Sequence, residues 1–320
     1  KKYSADGVRV GMLLCSPAGN DLLFDESLTQ QGRNFSNKIW NAFRLIMSWQ
    51  VDPALPQPAH SEVAVRWFGS LLNRSLRRVD DQFKKYRISD ALMILYRLFW
   101  DDFSSWYLET VKPGFGSAMD RDTRERTIGF LEQLLHLLHP FMPFITEEIW
   151  QLVSPRKEGE SLMISALPGA GKYDRELIAR FGDMKEVITN IRSIRKAKEI
   201  PFREEIPLMV RPGSGGQYQA ELEPVIMKLA AVSGVEEITG DTGDTGDKGD
   251  TVSFMVKNVE YHIPLGKPVD TEQEIGRLES ELEYARGFRD SVSRKLGNER
   301  FVSHAPVEVK HSSGHIVRRL

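Results

Sequence analysis

Apolar side chains that recur every three or four residues are the feature that most constrains how this chain can fold. In the segment 27–49 the recurring apolar residues are Phe35, Ile39, Ala42, Phe43 and Ile46. The same periodicity predicts further helices over 61–82, 89–109, 121–138 and 146–153, with short breaks between them that contain proline or glycine. Five amphipathic helices with short connections predict a mainly α fold whose first part is a helical bundle.

The pattern changes after about residue 155. One more helix is predicted over 175–199, followed by alternating or continuous apolar runs that are typical of strands, at 206–210, 235–239, 251–256 and 259–265. A short helix is predicted over 222–232, and a hairpin turn at Lys257-Asn258. These elements predict a small α+β domain after the bundle.

The last periodic segment, 271–296, has the narrow 3-4-3-4 apolar spacing of a coiled coil. A helix with one narrow seam needs a partner helix, which is either missing here or supplied by another chain. The Gly-Asp-rich stretch 240–251 has four Gly-x-y triplets without proline, which favours an acidic loop over a collagen-like array, with a calcium site as a minor alternative.

Charge and motifs exclude several classes of protein. The net charge of −2 excludes a chain that is basic throughout, and the single Cys15 excludes an internal disulfide framework and favours a reducing, cytoplasmic environment. No uncharged apolar run is long enough to predict a membrane span. Phosphate-binding loops and hydrolase or metalloprotease motifs are absent, and His136 and His139 lack further ligands nearby, so no catalytic residue and no metal site is predicted.

The first long helix has a polar face without a carboxylate. Opposite its apolar side lie, together with Arg33, the residues Asn34, Asn37, Lys38, Asn41 and Arg44. Asparagine offers a donor and an acceptor to base edges, while lysine and arginine meet phosphates or stack on bases. This face is therefore a candidate nucleic-acid contact, and the alternative is a solvated face that happens to lack acids.

Two further groups of cations are candidate contacts to a nucleic-acid backbone. One lies at the end of the helix 175–199 and contains Arg192, Arg195 and Lys196. The other lies in the distal half of the coiled-coil segment and contains Arg289, Arg294 and Lys295. Both groups equally fit cations that complement a helix C-terminus.

Several long motifs stand in one order along the chain: KKYSADGVRVGMLL, GNDLLFDE, GRNFSNKIWNAFRLI, FWDDFSSWYLETVKP, LLHPFMPFITEEIWQ and KLGNERFVSHAPVEV. In this order they resemble the C-terminal part of the valyl-tRNA synthetase family, which belongs to the class I aminoacyl-tRNA synthetases. The isoleucyl and leucyl families are the nearest alternatives, and the last motif favours the valyl family.

The resemblance implies a division of the chain into segments that recognise tRNA. Residues 1–26 would be a stem-contact segment, 27–170 a helical anticodon-binding domain, 171–268 a small α+β linker domain, and 269–310 the start of a coiled-coil arm. Residues 311–320 do not follow the family's pattern and are interpreted as a tail. The catalytic and editing domains of the family would lie outside this chain, so the resemblance implies no cofactor here, with ATP and Mg²⁺ in the catalytic domain.

The resemblance also implies a function and a site. The family attaches valine to its tRNA with ATP, and it reads the anticodon from the helix that corresponds to 27–49, which points to Lys38, Asn41 and Arg44 with Asn34 and Asn37 beside them. Leu45 stands where relatives have an aromatic residue that stacks on a base. The expected partner is a valine-accepting tRNA in the cytoplasm, and the rival interpretation is a helical-bundle and coiled-coil interaction module that binds another protein.

Overall fold

The computed structural model describes residues 2–15, 24–213, 218–238 and 251–265, and within the C-terminal region residues 276, 280, 282–284 and 286–290. Contacts divide the chain into two units, the first made of Lys1–Asp241 and Val252–Ile263 and the second of Thr242–Thr251 and Pro264–Leu320. Among the described residues, no helix is long and apolar enough to cross a membrane.

All five helices predicted for the bundle are present, and a short helix precedes them. Their bounds are α1 Ala5–Leu14, α2 Glu26–Ser48, α3 Ala59–Lys84, α4 Ile88–Arg97 continuing through a π-helical segment Leu98–Tyr107 into α5 Leu108–Val111, α6 Arg121–Leu138 and α7 Pro143–Val153. Asp25 and Asp120 cap α2 and α6 by accepting hydrogen bonds from backbone N–H groups in the first turn. The mainly α fold predicted from the periodicity is therefore confirmed.

Helices α1 and α2 cross at very short range because glycines line the crossing. A Cβ added at Gly11 would lie 2.6 Å from the Cα of Thr29, and one added at Gly32 would collide with the carbonyl oxygen of Gly7. Backbones can approach this closely only where no side chain stands between them. The crossing fixes the position of the N-terminal half of α2.

An aromatic core fills the space between α2, α3, α6 and the π-helical segment. Phe68 of α3 lies 5.2 Å from Phe103, 5.0 Å from Tyr107 and 5.1 Å from Phe130, measured between ring centroids. Tyr107 is fully buried, and its hydroxyl shares a 2.7 Å hydrogen bond with that of Thr127. Burial raises the pKa of this phenol well above its usual range, so the group stays neutral.

The small domain contains helix α8, Arg175–Ala197, helix α9, Glu223–Ala230, and a four-stranded sheet. The strands are β1 Ile206–Pro212, β2 Val232–Glu237, β3 Thr251–Val256 and β4 Val259–Pro264, and their order in the sheet is β2-β1-β4-β3. Strand β1 pairs with β2 in parallel and with β4 antiparallel. The predicted turn at Lys257-Asn258 joins β3 and β4, with Lys257 at a φ of 51°.

Three predictions from the sequence need correction or lie wholly or partly outside the described residues. Strand β2 begins at Val232, three residues before the predicted start, because α9 ends at Ala230 and the next residue, Ala231, adopts a left-handed conformation. The predicted loop 240–251 lies outside the described residues except for Thr251, which belongs to β3. In the predicted coiled-coil segment 271–296 the described residues are helical, and the coiled coil itself stays a prediction.

The small domain packs directly on the bundle through α8. The rings of Trp67 and Phe181 stack with centroids 3.8 Å apart and an angle of 6° between their planes. Beside this stack the ammonium of Lys185 donates to Asp102 at 2.6 Å and lies over the Trp67 ring. A buried stack edged by an ion pair couples α8 to α3 and to the π-helical segment.

Replacing Gly32 with alanine tests the close crossing of α1 and α2. Gly32→Ala should lower the free energy of unfolding by about 1–3 kcal/mol, because the new methyl group meets backbone and cannot be accommodated by a side-chain movement. The matched control is Gly182→Ala in α8, where a Cβ meets nothing and alanine should stabilise the helix by about 1 kcal/mol. Denaturant unfolding of both variants measures the two signs, and equal effects would contradict the crossing.

The His60 side chain predicts how stability depends on pH. Its Nε2 lies 2.9 Å from the Lys228 ammonium, and burial together with that positive charge lowers the pKa of His60 to about 4. Between pH 6.5 and 4, His60 is protonated in the unfolded chain but stays neutral in the folded chain. The free energy of unfolding should therefore decrease as the pH drops from 6.5 to 4. His60→Gln should flatten this part of the stability curve in thermal melts, and an unchanged slope would contradict the assignment.

Candidate nucleic-acid interface

Helix α2 separates its apolar and polar residues onto opposite sides. Phe35, Ile39 and Ile46 are fully buried, and Phe35 lies against the rings of Tyr96, Phe99 and Trp100. The opposite side carries the candidate residues, of which four are exposed and Lys38 is half-buried: Asn34, Asn37, Lys38, Asn41 and Arg44. The structure thus places all five predicted contact residues on one accessible stripe of about three turns.

The exposed groups on this stripe differ in whether their hydrogen-bonding capacity is already used. Asn34 accepts a hydrogen bond from Gln30 at 2.9 Å, and Arg33 donates to the carbonyl oxygen of Lys2 at 2.8 Å. Within the described part of the chain, the side chains of Asn37, Asn41 and Arg44 have no hydrogen-bond partner. Two free amides one turn apart can therefore offer donors and acceptors to a ligand without breaking an internal bond.

Lys38 marks the border between the polar stripe and an aromatic pair. Its ammonium lies 5.5 Å from the centre of the Trp100 ring, and Trp100 stacks on Tyr96 with an angle of 13° between their planes. The cation–π contact orients the lysine along the surface. Both rings are half-buried, so the stripe is flanked by flat apolar groups as well as by amides and cations.

The electrostatics of α2 favour an anionic partner. The helix contains one acid, Glu26 in its first turn, and this carboxylate is bound by Lys2 at 2.8 Å and by Tyr3 at 2.6 Å. These bonds lower the pKa of Glu26. Three cations, Arg33, Lys38 and Arg44, lie further along the same helix without an acid between them, so the stripe is positive along its length.

Arg195, a predicted contact to a nucleic-acid backbone, is engaged inside the fold instead of being presented on the surface. The residue is only 3% exposed, and its guanidinium donates to the carbonyl oxygens of Pro201, Glu204 and Ala231. Arg192 is also engaged, since its Nε and Nη2 donate to the carbonyl of Leu229 at 3.1 and 2.8 Å. Of this predicted group only Lys196 is exposed without a bonded partner among the described residues. The two arginines hold α8 against the segments around α9 and β1.

The remaining predicted residues divide between engaged groups and residues outside the description. Arg289 is exposed and donates to Asp290 at 2.9 Å, while Arg294 and Lys295 lie outside the described residues. The imidazole of His136 is hydrogen-bonded to the carbonyl of Glu132, and that of His139 to the hydroxyl of Thr146. Both imidazoles are therefore engaged in contacts within the helical bundle. No group of three potential metal ligands converges in the described part of the chain.

Sequence reasoning missed a further basic group on α3 and α4. Arg74, Arg78 and Arg97 line one open groove of about 450 Å³ between these helices. The run NRSLRR at 73–78 contains two of them and was the available signal. The third comes from a different helix, so only the packing of α4 on α3 brings the three together.

Comparison with known proteins identifies the class to which this chain belongs. Residues 65–210 match the family described as the anticodon-binding domain of tRNA ligase. The chain is 50% identical over 312 residues to the valine–tRNA ligase of Porphyromonas gingivalis and 47% identical over 309 residues to that of Parabacteroides distasonis. Each alignment covers 97% of this chain and 34% of the relative. The corresponding enzyme of Enterococcus faecalis is 33% identical over 317 residues, 97% of this chain and 36% of that relative.

The chain belongs to the valine–tRNA ligase family, as its sequence motifs suggested, and spans about a third of the length of these relatives. A solved ternary complex of LeuRS, tRNA and LeuAMS from Agrobacterium radiobacter K84 matches 68% of this chain and 23% of its own, at 16% identity and a TM-score of 0.39. That likeness is too weak to support any conclusion about this chain.

Substituting Arg195 separates a structural role from a binding role. Arg195→Ala removes the guanidinium that donates to three backbone carbonyls and should lower the free energy of unfolding by about 1–3 kcal/mol. Lys196→Ala, which removes the same charge one residue further on, should change stability by less than about 0.5 kcal/mol. Chemical denaturation of the two variants makes the comparison, and equal stabilities would refute the structural role.

Proposed function

We propose that this chain is the part of a valine–tRNA ligase that recognises the valine-accepting tRNA, and that α2 presents the residues that read the anticodon. The observation that supports this most strongly is the exposed, acid-free stripe on α2, whose amides at Asn37 and Asn41 have no internal partner. The family match supplies the partner class, since residues 65–210 belong to an anticodon-binding domain. Attachment of valine with ATP and Mg²⁺ would take place in the rest of such an enzyme, in the cytoplasm.

The chemistry of the stripe suits unstacked bases in a loop. A carboxamide can donate and accept at once, which matches the paired donor and acceptor on a base edge, and each such pair discriminates by about 1–3 kcal/mol. Lys38 and Arg44 would neutralise phosphates or lie against base faces. The half-buried pair Tyr96 and Trp100 borders Lys38 and supplies the flat apolar surface that Leu45 does not.

Rigidity of the stripe supports selective recognition. The buried side of α2 is clamped by the glycine crossing with α1 and by the aromatic rings around Phe35, so the amides keep a fixed spacing. A site that is already ordered loses little conformational entropy on binding. The arm segment would add a second contact with tRNA and would need a pairing helix, since Leu282 is half-exposed in the described part of that segment.

Replacing both free amides tests base reading without changing charge. Asn37→Ala combined with Asn41→Ala should reduce the preference for a tRNA with a valine anticodon over the same tRNA with a substituted anticodon by about tenfold or more. The dependence of affinity on salt should stay the same, because no phosphate contact is removed. Fluorescence anisotropy with the two labelled tRNAs measures both quantities.

The control removes an exposed cation far from α2 in sequence and outside its helix. Arg203→Ala, in the loop before β1, should leave the preference for the valine anticodon intact. A double amide variant that discriminates as well as the parent chain, with an unchanged unfolding midpoint, would refute the assignment of α2 as the reading helix.

A further inference from the structure

The groove between α3 and α4 collects three arginines whose charges are not balanced. Arg74 and Arg78 lie one turn apart on α3, and Arg97 faces them from the end of α4. None of the three forms an ion pair or a side-chain hydrogen bond within the described part of the chain, and the Nε of Arg74 is buried without a partner. Clustered cations without counter-charges repel one another, and this repulsion is relieved when an anion binds between them.

The acids that line the groove form no ion pair with these arginines in the described part of the chain. Asp102 also lines the groove, but this carboxylate is bound by Lys185 from α8 at 2.6 Å. Asp90 stands in the first turn of α4, where the helix dipole stabilises it, and it pairs with no arginine. Burial, followed by the positive charge of Arg78, lowers the pKa of the Arg74 guanidinium, while the charge of Asp102 acts in the opposite direction.

Helix α4 separates the groove from the α2 stripe. The α4 rod with its π-helical continuation stands between α2 and α3, with Tyr96 turned to Phe35 on one side and Arg97 lining the groove with α3 on the other. Neighbouring helices are about 8–10 Å apart, so α2 and the groove are separated by about 10–20 Å. This separation suits two contacts on one RNA hairpin, one to its loop and one to its paired stem.

We propose that Arg74, Arg78 and Arg97 form a phosphate-binding groove that holds the backbone of the tRNA stem next to the anticodon loop. The proposal rests on the proposed function for its partner, and it adds a contact that reads no base. Guanidinium groups bind phosphate oxygens through paired hydrogen bonds, and an open groove admits a chain of phosphates rather than a single enclosed ion. The groove would therefore contribute affinity equally for every tRNA anticodon and leave discrimination to α2.

The test compares two charge-matched double variants of the whole chain. Arg78→Ala with Arg97→Ala removes the two exposed cations of the groove, and Lys157→Ala with Arg203→Ala removes two exposed cations from loops elsewhere. The groove variant should bind a valine-anticodon tRNA and an anticodon-substituted tRNA more weakly by the same factor, about tenfold or more at low salt. The slope of log affinity against log salt should decrease by about 1–2. The control variant should keep the slope of the parent.

The outcomes separate this proposal from the function it rests on. Equal affinities and slopes for the groove variant and the loop control would overturn the groove, even if the amide variant of α2 loses its anticodon preference. If the groove variant loses affinity and the loop control does not, the phosphate-binding groove is supported. This holds even if the parent chain shows no preference for the valine anticodon, a result that would refute anticodon reading by α2 and not the groove.

A competition experiment distinguishes RNA phosphates from free phosphate. Inorganic phosphate is compared with chloride at the same ionic strength. Phosphate should displace tRNA only slightly more than chloride does, because isolated phosphate lacks the linked charges of a backbone. If inorganic phosphate binds the parent but not the groove variant, while both bind tRNA equally, the groove is an ion site and the RNA contact is refuted. Equal unfolding midpoints of parent and variants, read by circular dichroism, show that a lost affinity does not come from lost folding.

Discussion

The packing of Phe35 against the rings of Tyr96, Phe99 and Trp100 decides which side of α2 faces water. This one aromatic side chain fixes the rotation of α2 about its own axis, because its ring is packed against three others. The glycine crossing with α1 then fixes its translation. With both degrees of freedom removed, the amides of Asn37 and Asn41 project from the bundle at a constant spacing, and the surface chemistry of the chain follows from its core.

The cations of this chain divide into two roles that local sequence does not distinguish. Arg195 and Arg192 are bound by backbone carbonyls and hold the small domain together, although they stand in a run that looks like a nucleic-acid patch. Arg74, Arg78 and Arg97 are unbalanced, although nothing in their own helices sets them apart. The difference lies in which carbonyls and carboxylates the fold brings near, and this is why charge runs alone are weak indicators of binding.

The helices, the strands and the polar stripe on α2 could be predicted from the sequence, because each depends on local periodicity. A buried side of Phe35, Ile39 and Ile46 leaves the opposite side to polar residues, and no distant contact is needed to deduce this. Local sequence patterns could not predict the π-helical segment, the burial of Arg195 or the arginine groove, since each depends on residues far apart in the chain. Arg195, for example, is bonded to carbonyls up to 36 residues away, and Arg97 meets Arg74 only through helix packing.

The widened turns of Leu98–Tyr107 set the rotational phase between the two ends of the helical rod Ile88–Val111. A π turn takes up one residue more than an α turn, and each residue of an α-helix advances it by about 100°. Phe99, Phe103 and Tyr107 consequently form one aligned column of rings, while Tyr96 and Arg97 just before them point to different neighbours. Deleting a single residue from this segment would turn α4 by about 100° relative to α5 and exchange the surroundings of its aromatic and basic side chains.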